Sequence, residues 1–196
     1  MRKAEPVHTS RLAALRLLRG VLDSGRNLER QVRREWFLSL SSPEQRLARR
    51  ITDGVLRYLR RFDYYVEKLA SRPLEKIDRD VLWILRIGLY QIEFLNVPGY
   101  AAVNETTELC RILRKKSATG FVNGILRSFL RGPPPLPGGD SPSALAVRES
   151  HPEWLIERYL ERYGLERTIA LLKSNNRHPE SVLWINPFKT CRETFM

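Results

Sequence analysis

Ala102-Val103-Asn104-Glu105-Thr106-Thr107-Glu108-Leu109 and Gly120-Phe121-Val122-Asn123-Gly124-Ile125-Leu126-Arg127 are both apolar repeats of helical period, and each carries an asparagine inside it. Propensity argues against that choice, because an asparagine within a helix competes with the backbone for hydrogen bonds. Buried without partners it costs on the order of a few kcal/mol. The pair therefore predicts a polar lock, Asn104 with Asn123, between two neighbouring helices.

Outward from these two helices, 3.6-residue periodicity recurs through the first 131 residues, with no sustained period-two pattern before residue 181, so the expected fold is an all-α bundle. The first helix is expected from Ser10 to Leu22, with Gly25 as its stop. A second starts at an Asn27 N-cap and runs through Leu38. A third begins with the capping box Ser42-Pro43-Glu44-Gln45. It is the sharpest amphipath of the chain: Leu47, Ala48, Ile51, Val55, Tyr58, Leu59 and Phe62 share one arc, and Arg46, Arg49, Arg50, Arg57, Arg60 and Arg61 the opposite one. A fourth, Asp63 to Ala70, continues or follows it. The helix from Asp78 to Leu95 is apolar nearly all round and belongs at the centre. After the turn Asn96-Val97-Pro98-Gly99 come the two asparagine-bearing helices, Ala101 to Arg114 and Ala118 to Arg131.

Gly132-Pro133-Pro134-Pro135-Leu136-Pro137-Gly138-Gly139 cannot continue a helix and reads as a linker over residues 132–140. The expected organisation is thus a bundle over 1–131, that linker, and a small segment over 141–196. The last has a weak helix from Ser141 to Glu149, helices from His151 to Tyr163 and Leu165 to Ser174, and one lone strand, Val182 to Asn186. An isolated strand is not stable by itself, so its partners lie elsewhere.

The net charge of +12 over 196 residues is concentrated in two blocks. Residues 1–61 hold 15 basic against 6 acidic side chains and residues 111–131 hold 6 against none, whereas 62–110 come to −3 and 132–196 to zero. Such concentration fits a polyanion, whose counterions are released on binding; a solvated basic surface is the plain alternative. Six guanidiniums on one helix face repel each other, which favours a phosphate partner for Arg46, Arg49, Arg50, Arg57, Arg60 and Arg61, supported by Arg16, Arg19, Lys115, Lys116 and Arg127.

Val-Asn-Glu-Thr, followed after a basic turn by Phe-Val-Asn-Gly-Ile-Leu-Arg, resembles the last two helices of the NusB-like RNA-binding domain. The same domain opens the RsmB (Sun) type of small-subunit (16S) rRNA cytosine-C5 methyltransferases. His151-Pro152-Glu153-Trp154-Leu155, Asn175-Asn176-Arg177-His178-Pro179 and Leu183-Trp184-Ile185-Asn186-Pro187 follow in the order of that methyltransferase type, so the resemblance spans nearly the whole chain. Trp184 departs from it, standing where an arginine is usual. The resemblance implies an RNA-binding region, with rRNA and possible ribosomal-protein partners, ahead of a domain that uses S-adenosylmethionine.

No residue of the chain itself is expected to catalyse. There is no glycine-rich cofactor loop, since Gly138-Gly139 sits among prolines, and Thr190-Cys191 has no accompanying base or cofactor segment. No cofactor is therefore expected in this chain. His8, His151 and His178 are too scattered for a metal site, and Cys110 on a helix face reads as packing. Glu105 and Glu108 suit a first helical turn and need no acid–base role. Two distant cysteines, no apolar leader and no uninterrupted apolar span point to the cytoplasm and away from membranes. Three rivals stay open: an antitermination factor binding single-stranded RNA with a ribosomal protein, a protein-interaction module with an acidic partner, and basic membrane attachment.

Overall fold

The computed structural model describes residues 9–95 and 97–177, together with Trp184, Ile185 and Lys189. Its helices are α1 (Thr9–Leu18), α2 (Leu28–Val32), α3 (Glu35–Leu38), α4 (Ser42–Arg57), α5 (Leu59–Ala70), α6 (Arg79–Phe94), α7 (Gly99–Ile112), α8 (Thr119–Arg131), α9 (Pro142–Arg148) and α10 (Glu153–Asn175). The all-α class is as the periodicity requires. Among the described residues there is no strand; Trp184 and Ile185 have no regular structure, and the rest of the expected strand lies outside the described residues.

The apolar helix is the axle of the bundle. Every residue of α6 from Val81 to Gln91 is buried, and α6 packs on α1, α4, α5, α7 and α8. Asp78 caps it, accepting from the backbone N–H groups of Asp80 (3.0 Å) and Val81 (3.3 Å). Gly54 lets α4 approach, because a Cβ there would lie 1.9 Å from the Tyr90 ring. No helix among the described residues is long and apolar enough to cross a membrane.

Several boundaries move for local reasons. α1 does not run regularly to Leu22 but passes at Arg19–Asp23 into a π turn, beside which the buried Gln31 side chain donates to the Leu17 carbonyl (3.4 Å). The helix expected from Asn27 to Leu38 is two, since Arg34 is extended (φ −79°, ψ 148°). The capping box sits one residue earlier than expected: the Ser41 N–H donates to the Glu44 carboxylate (3.0 Å). The break after α4 falls at Tyr58 (φ −107°, ψ 23°) rather than at Asp63, and it lets that ring stack on Phe94 (4.3 Å between centroids). Gly164 (φ 72°, ψ 174°) divides α10 where the two tail helices were expected to meet.

The expected asparagine lock is corrected. Asn104 is exposed, and Asn123 accepts from Arg127 Nε (3.0 Å) one turn along its own helix. The lock between helices is built from residues that looked ordinary in sequence. Gln91, fully buried on α6, accepts from Arg11 Nε of α1 (2.6 Å) and donates to Thr106 Oγ1 of α7 (3.0 Å), while Arg11 also pairs with Glu105. A second interior pair joins α5 to α6: Arg86 Nη2 lies 2.6 Å from Asp63, and burial pushes that carboxyl up while Arg86 holds it down.

Candidate nucleic-acid interface

Six arginines of α4 and α5 were expected to face a phosphate partner, and the structure divides them. The segment after the proline-rich stretch returns to this face. Tyr64 donates to the Pro135 carbonyl (2.9 Å) and Leu136 packs against the bundle core. Arg61 donates to the carbonyl of Arg148, at the C-terminal end of α9, and pairs with Glu93 (3.1 Å). Arg57 Nη1 donates to the Asn176 carbonyl (3.3 Å), and the backbone N–H of Arg60, left without a helical partner by the break at Tyr58, donates to Ser150 Oγ (3.1 Å). Arg49 is held by Glu29 and lies 3.6 Å from Asp53. Self-repulsion along the stripe thus has internal relief, and an external phosphate is not needed to explain Arg49, Arg57 or Arg61. Arg46, Arg50 and the Arg60 side chain remain exposed.

The tail motifs are the clasp behind this docking. His151 is buried between α9 and α10, with Nδ1 2.6 Å from the Glu149 carbonyl and Nε2 3.4 Å from the Asn175 amide. Asn176 Nδ2 donates to that same carbonyl (2.9 Å). A proton on Nδ1 and an acceptor at Nε2 satisfy both contacts, so the two motifs, 24 residues apart, read here as one turn-closing network.

Across α1, α2 and α3 lies a basic surface that the periodicity reading largely missed. Three clefts run end to end there. The first, about 240 Å³, is lined by Leu12, Ala13, Arg16, Trp36 and Leu40. The second, about 460 Å³, takes Leu15, Arg16, Arg19, Gly20 and Arg26, and the third, about 370 Å³, takes Arg26, Asn27, Arg30 and Arg34. Arg16 is shared by the first two and Arg26 by the last two, so the clefts form one furrow. Arg16 lies over the Trp36 ring (4.1 Å), and Arg19 pairs with Asp80.

Asp80 pairs with Arg19, but among the described residues no ion pair holds Arg26, Arg30 or Arg34; the nearby Asp23 and Glu29 face Arg79 (2.8 Å) and Arg49. Arg26, Arg30, Arg33 and Arg34 are all exposed. The sequence held a signal for them in the run Arg30, Arg33, Arg34 beside Asn27, but short helices give no long periodic stripe to notice. Lys115 and Lys116 sit at the α7–α8 turn, where Lys115 Nζ lies 2.5 Å from Asp78 and Lys116 is exposed. Arg127 is exposed on α8, tethered to Asn123.

Gly138 and Gly139 lie in the segment between α8 and α9. Cys110 is buried, and burial pushes its thiol up, away from a nucleophilic thiolate.

Comparison with known proteins gives two family matches. The profile of the NusB family matches residues 8–131, from α1 to the end of α8. That of the methyltransferase RsmF/B-like, ferredoxin-like domain matches residues 151–196, from the His151 clasp onward. Among curated proteins, ribosomal RNA small subunit methyltransferase B of Escherichia coli (strain K12) is 31% identical over 157 residues, 80% of this chain and 36% of the relative. The probable ribosomal RNA small subunit methyltransferase B of Synechocystis sp. is 34% identical over 156 residues, 78% of this chain and 35% of that relative. The chain spans about a third of the length of these relatives. With its central α6 and the match over residues 8–131, the chain belongs to the NusB family.

Proposed function

We propose that this chain is the RNA-holding region of a small-subunit rRNA cytosine-C5 methyltransferase, acting in the cytoplasm to position rRNA and not itself transferring the methyl group. The observation that carries the reading is the set of three adjoining clefts across α1, α2 and α3 lined by Arg16, Arg19, Arg26, Arg30 and Arg34, of which Arg26, Arg30 and Arg34 are exposed with no ion pair among the described residues. Folded RNA is recognised mainly by shape and phosphates, and a furrow of guanidiniums is suited to follow a phosphate backbone. Arg46, Arg50, Arg60, Lys116 and Arg127 extend the basic field around the bundle, whereas Arg49, Arg57 and Arg61 act first in holding the fold.

The match of residues 151–196 to a methyltransferase-associated domain favours this reading over a free-standing antitermination factor, which has no use for that segment. The test is binding of the chain to a small-subunit rRNA fragment and to an antiterminator-type single strand across a salt series. Preferential binding to the rRNA fragment, weakened by salt and by the triple change Arg26→Glu, Arg30→Glu, Arg34→Glu, is the expected result. Preference for the short single strand would replace it with antitermination. Binding to neither would leave a protein-interaction module.

A further inference from the structure

A fourth cleft, about 460 Å³, opens between α7 and α8, on a different part of the surface from the furrow. That is within the range of ligand-holding clefts, about 300–1,000 Å³. Tyr100, Val103, Asn104, Arg127, Leu130 and Arg131 line it. The choice of residues is odd for a bundle surface. Tyr100 is 75% exposed, far more than a ring needs for its hydroxyl to reach water. Asn104 stands one turn along α7, exposed, in an apolar repeat where it makes no interhelical lock.

The two arginines are pre-ordered. Arg127 Nε donates to Asn123 Oδ1 (3.0 Å) and Arg131 Nη2 to Ser128 Oγ (2.8 Å), each within α8. Each tether fixes one edge of a guanidinium and leaves the other donors for a ligand, which lowers the entropy lost on binding. The second asparagine of the opening motif thereby acquires a purpose, and so does the first.

Resting on the RNA-binding reading above, we propose that the α7–α8 cleft takes one unpaired nucleotide of the bound RNA. The base stacks on the Tyr100 ring, the Asn104 carboxamide meets the donor and acceptor on its edge, and Arg127 and Arg131 take the flanking phosphates. An exposed aromatic ring accepts any base by its face, and a carboxamide offers a donor beside an acceptor, which is the pattern of a base edge. Paired RNA cannot present that edge, so the cleft discriminates between unpaired and paired segments where the furrow does not.

The experiment uses the full 196-residue chain and two RNA hairpins that differ only in one bulged 2-aminopurine, present in the first and replaced by a base pair in the second. Stacking in the cleft changes the probe's fluorescence, and the bulged hairpin binds more tightly. Tyr100→Ala is expected to weaken the bulged hairpin roughly tenfold with no change in its salt slope, while the paired hairpin is unaffected. Tyr100→Phe is expected to restore it, and Asn104→Ala to reduce the preference while leaving phosphate contacts intact.

Equal affinity of the wild-type chain for the two hairpins, or equal loss on both in Tyr100→Ala, overturns the proposal. If both hairpins still bind and depend on Arg26, Arg30 and Arg34, only the cleft is refuted. If neither binds, the RNA-binding reading fails together with it. Circular dichroism of the variants excludes a folding defect, which an exposed ring at the start of α7 does not predict.

Discussion

The arginines of α4 and α5 and those of the α1–α3 furrow are alike in number and in spacing on the page, yet they have opposite fates in the fold. On α5 the chain comes back. Arg148, Ser150 and Asn176 bring two carbonyls and a hydroxyl to Arg61, Arg57 and the Arg60 N–H, so much of the donor capacity of that face is satisfied internally. In the furrow Arg19 pairs with Asp80, but among the described residues no hydrogen bond or ion pair holds the side chains of Arg26, Arg30 or Arg34, and Asp23 and Glu29 face other arginines. Arginine density alone therefore does not identify a nucleic-acid surface. What distinguishes the two is where the acceptors of the rest of the chain end up.

The largest expected effect falls on the furrow. Arg26→Glu, Arg30→Glu and Arg34→Glu together should reduce affinity for structured RNA about a hundredfold at moderate salt and lower the log–log salt slope by about 2 to 3. The melting temperature should stay within the small range of exposed substitutions, since these side chains hold no fold contact. Filter binding over a salt series and thermal unfolding measure the two quantities. A large loss of stability with unchanged RNA affinity would reverse the comparison.

Next comes Arg61→Ala, where the order inverts. Its guanidinium is the partner of Glu93 and of the Arg148 carbonyl, and burial already pushes the Glu93 carboxyl up. Removing it leaves a poorly solvated carboxylate, an expected cost of about 2 kcal/mol in urea unfolding at neutral pH. Because the Glu93 value is raised in the folded state, the charged form is the disfavoured one. The penalty should shrink as pH falls through the raised value and Glu93 takes up a proton. RNA affinity should change far less than in the furrow variant.

Releasing the returning segment is a gentler probe of the same contrast. Ser150→Ala removes the acceptor for the Arg60 N–H, and Asn176→Ala removes a donor to the Glu149 carbonyl. Each should cost about 1 kcal/mol. Hydrogen exchange should show faster exchange at the Arg60 amide in Ser150→Ala, while amides of α1 and α6 keep their protection. Uniform loss of protection would mean that the segment and bundle form one cooperative unit.

How much of this was legible in the sequence follows from what each signal depends on. α6 was legible because apolarity all round a helix has one physical meaning, and the ends of α8 and α9 because Gly132 and the Ser141-Pro142 cap act locally. The split between α2 and α3 was not, since it rests on the single extended residue Arg34. The polar lock was misplaced because a buried Gln91 and a surface glutamine look the same in a string, and only Arg11 and Thr106, at distances of 80 and 15 residues, reveal which it is. The same reason hid the furrow. It is assembled from α1, α2 and α3, and no single-helix pattern contains it.

The smallest effect separates two adjacent lysines in the α7–α8 turn. Lys115 reaches Asp78, which also caps α6, and the charge pairing and cap together hold the Asp78 carboxyl below its ordinary value. Lys116, next in sequence, is exposed. Asp78→Asn keeps a capping oxygen and removes the charge, so it should lower the melting temperature by at most about a degree at neutral pH. A folded-state value depressed below the unfolded one stabilises above the ordinary carboxylate range and loses that stability as pH falls. The difference between Asp78→Asn and the parent chain should therefore close on acidification below pH 3.8, the ordinary aspartate value, and it should narrow in high salt. Lys116→Ala should leave the melting temperature unchanged at every pH and instead reduce the RNA salt slope by about 1. Should Lys115→Ala and Lys116→Ala behave alike in both measurements, the division between arginines and lysines that hold the fold and those that face RNA would not extend to this turn.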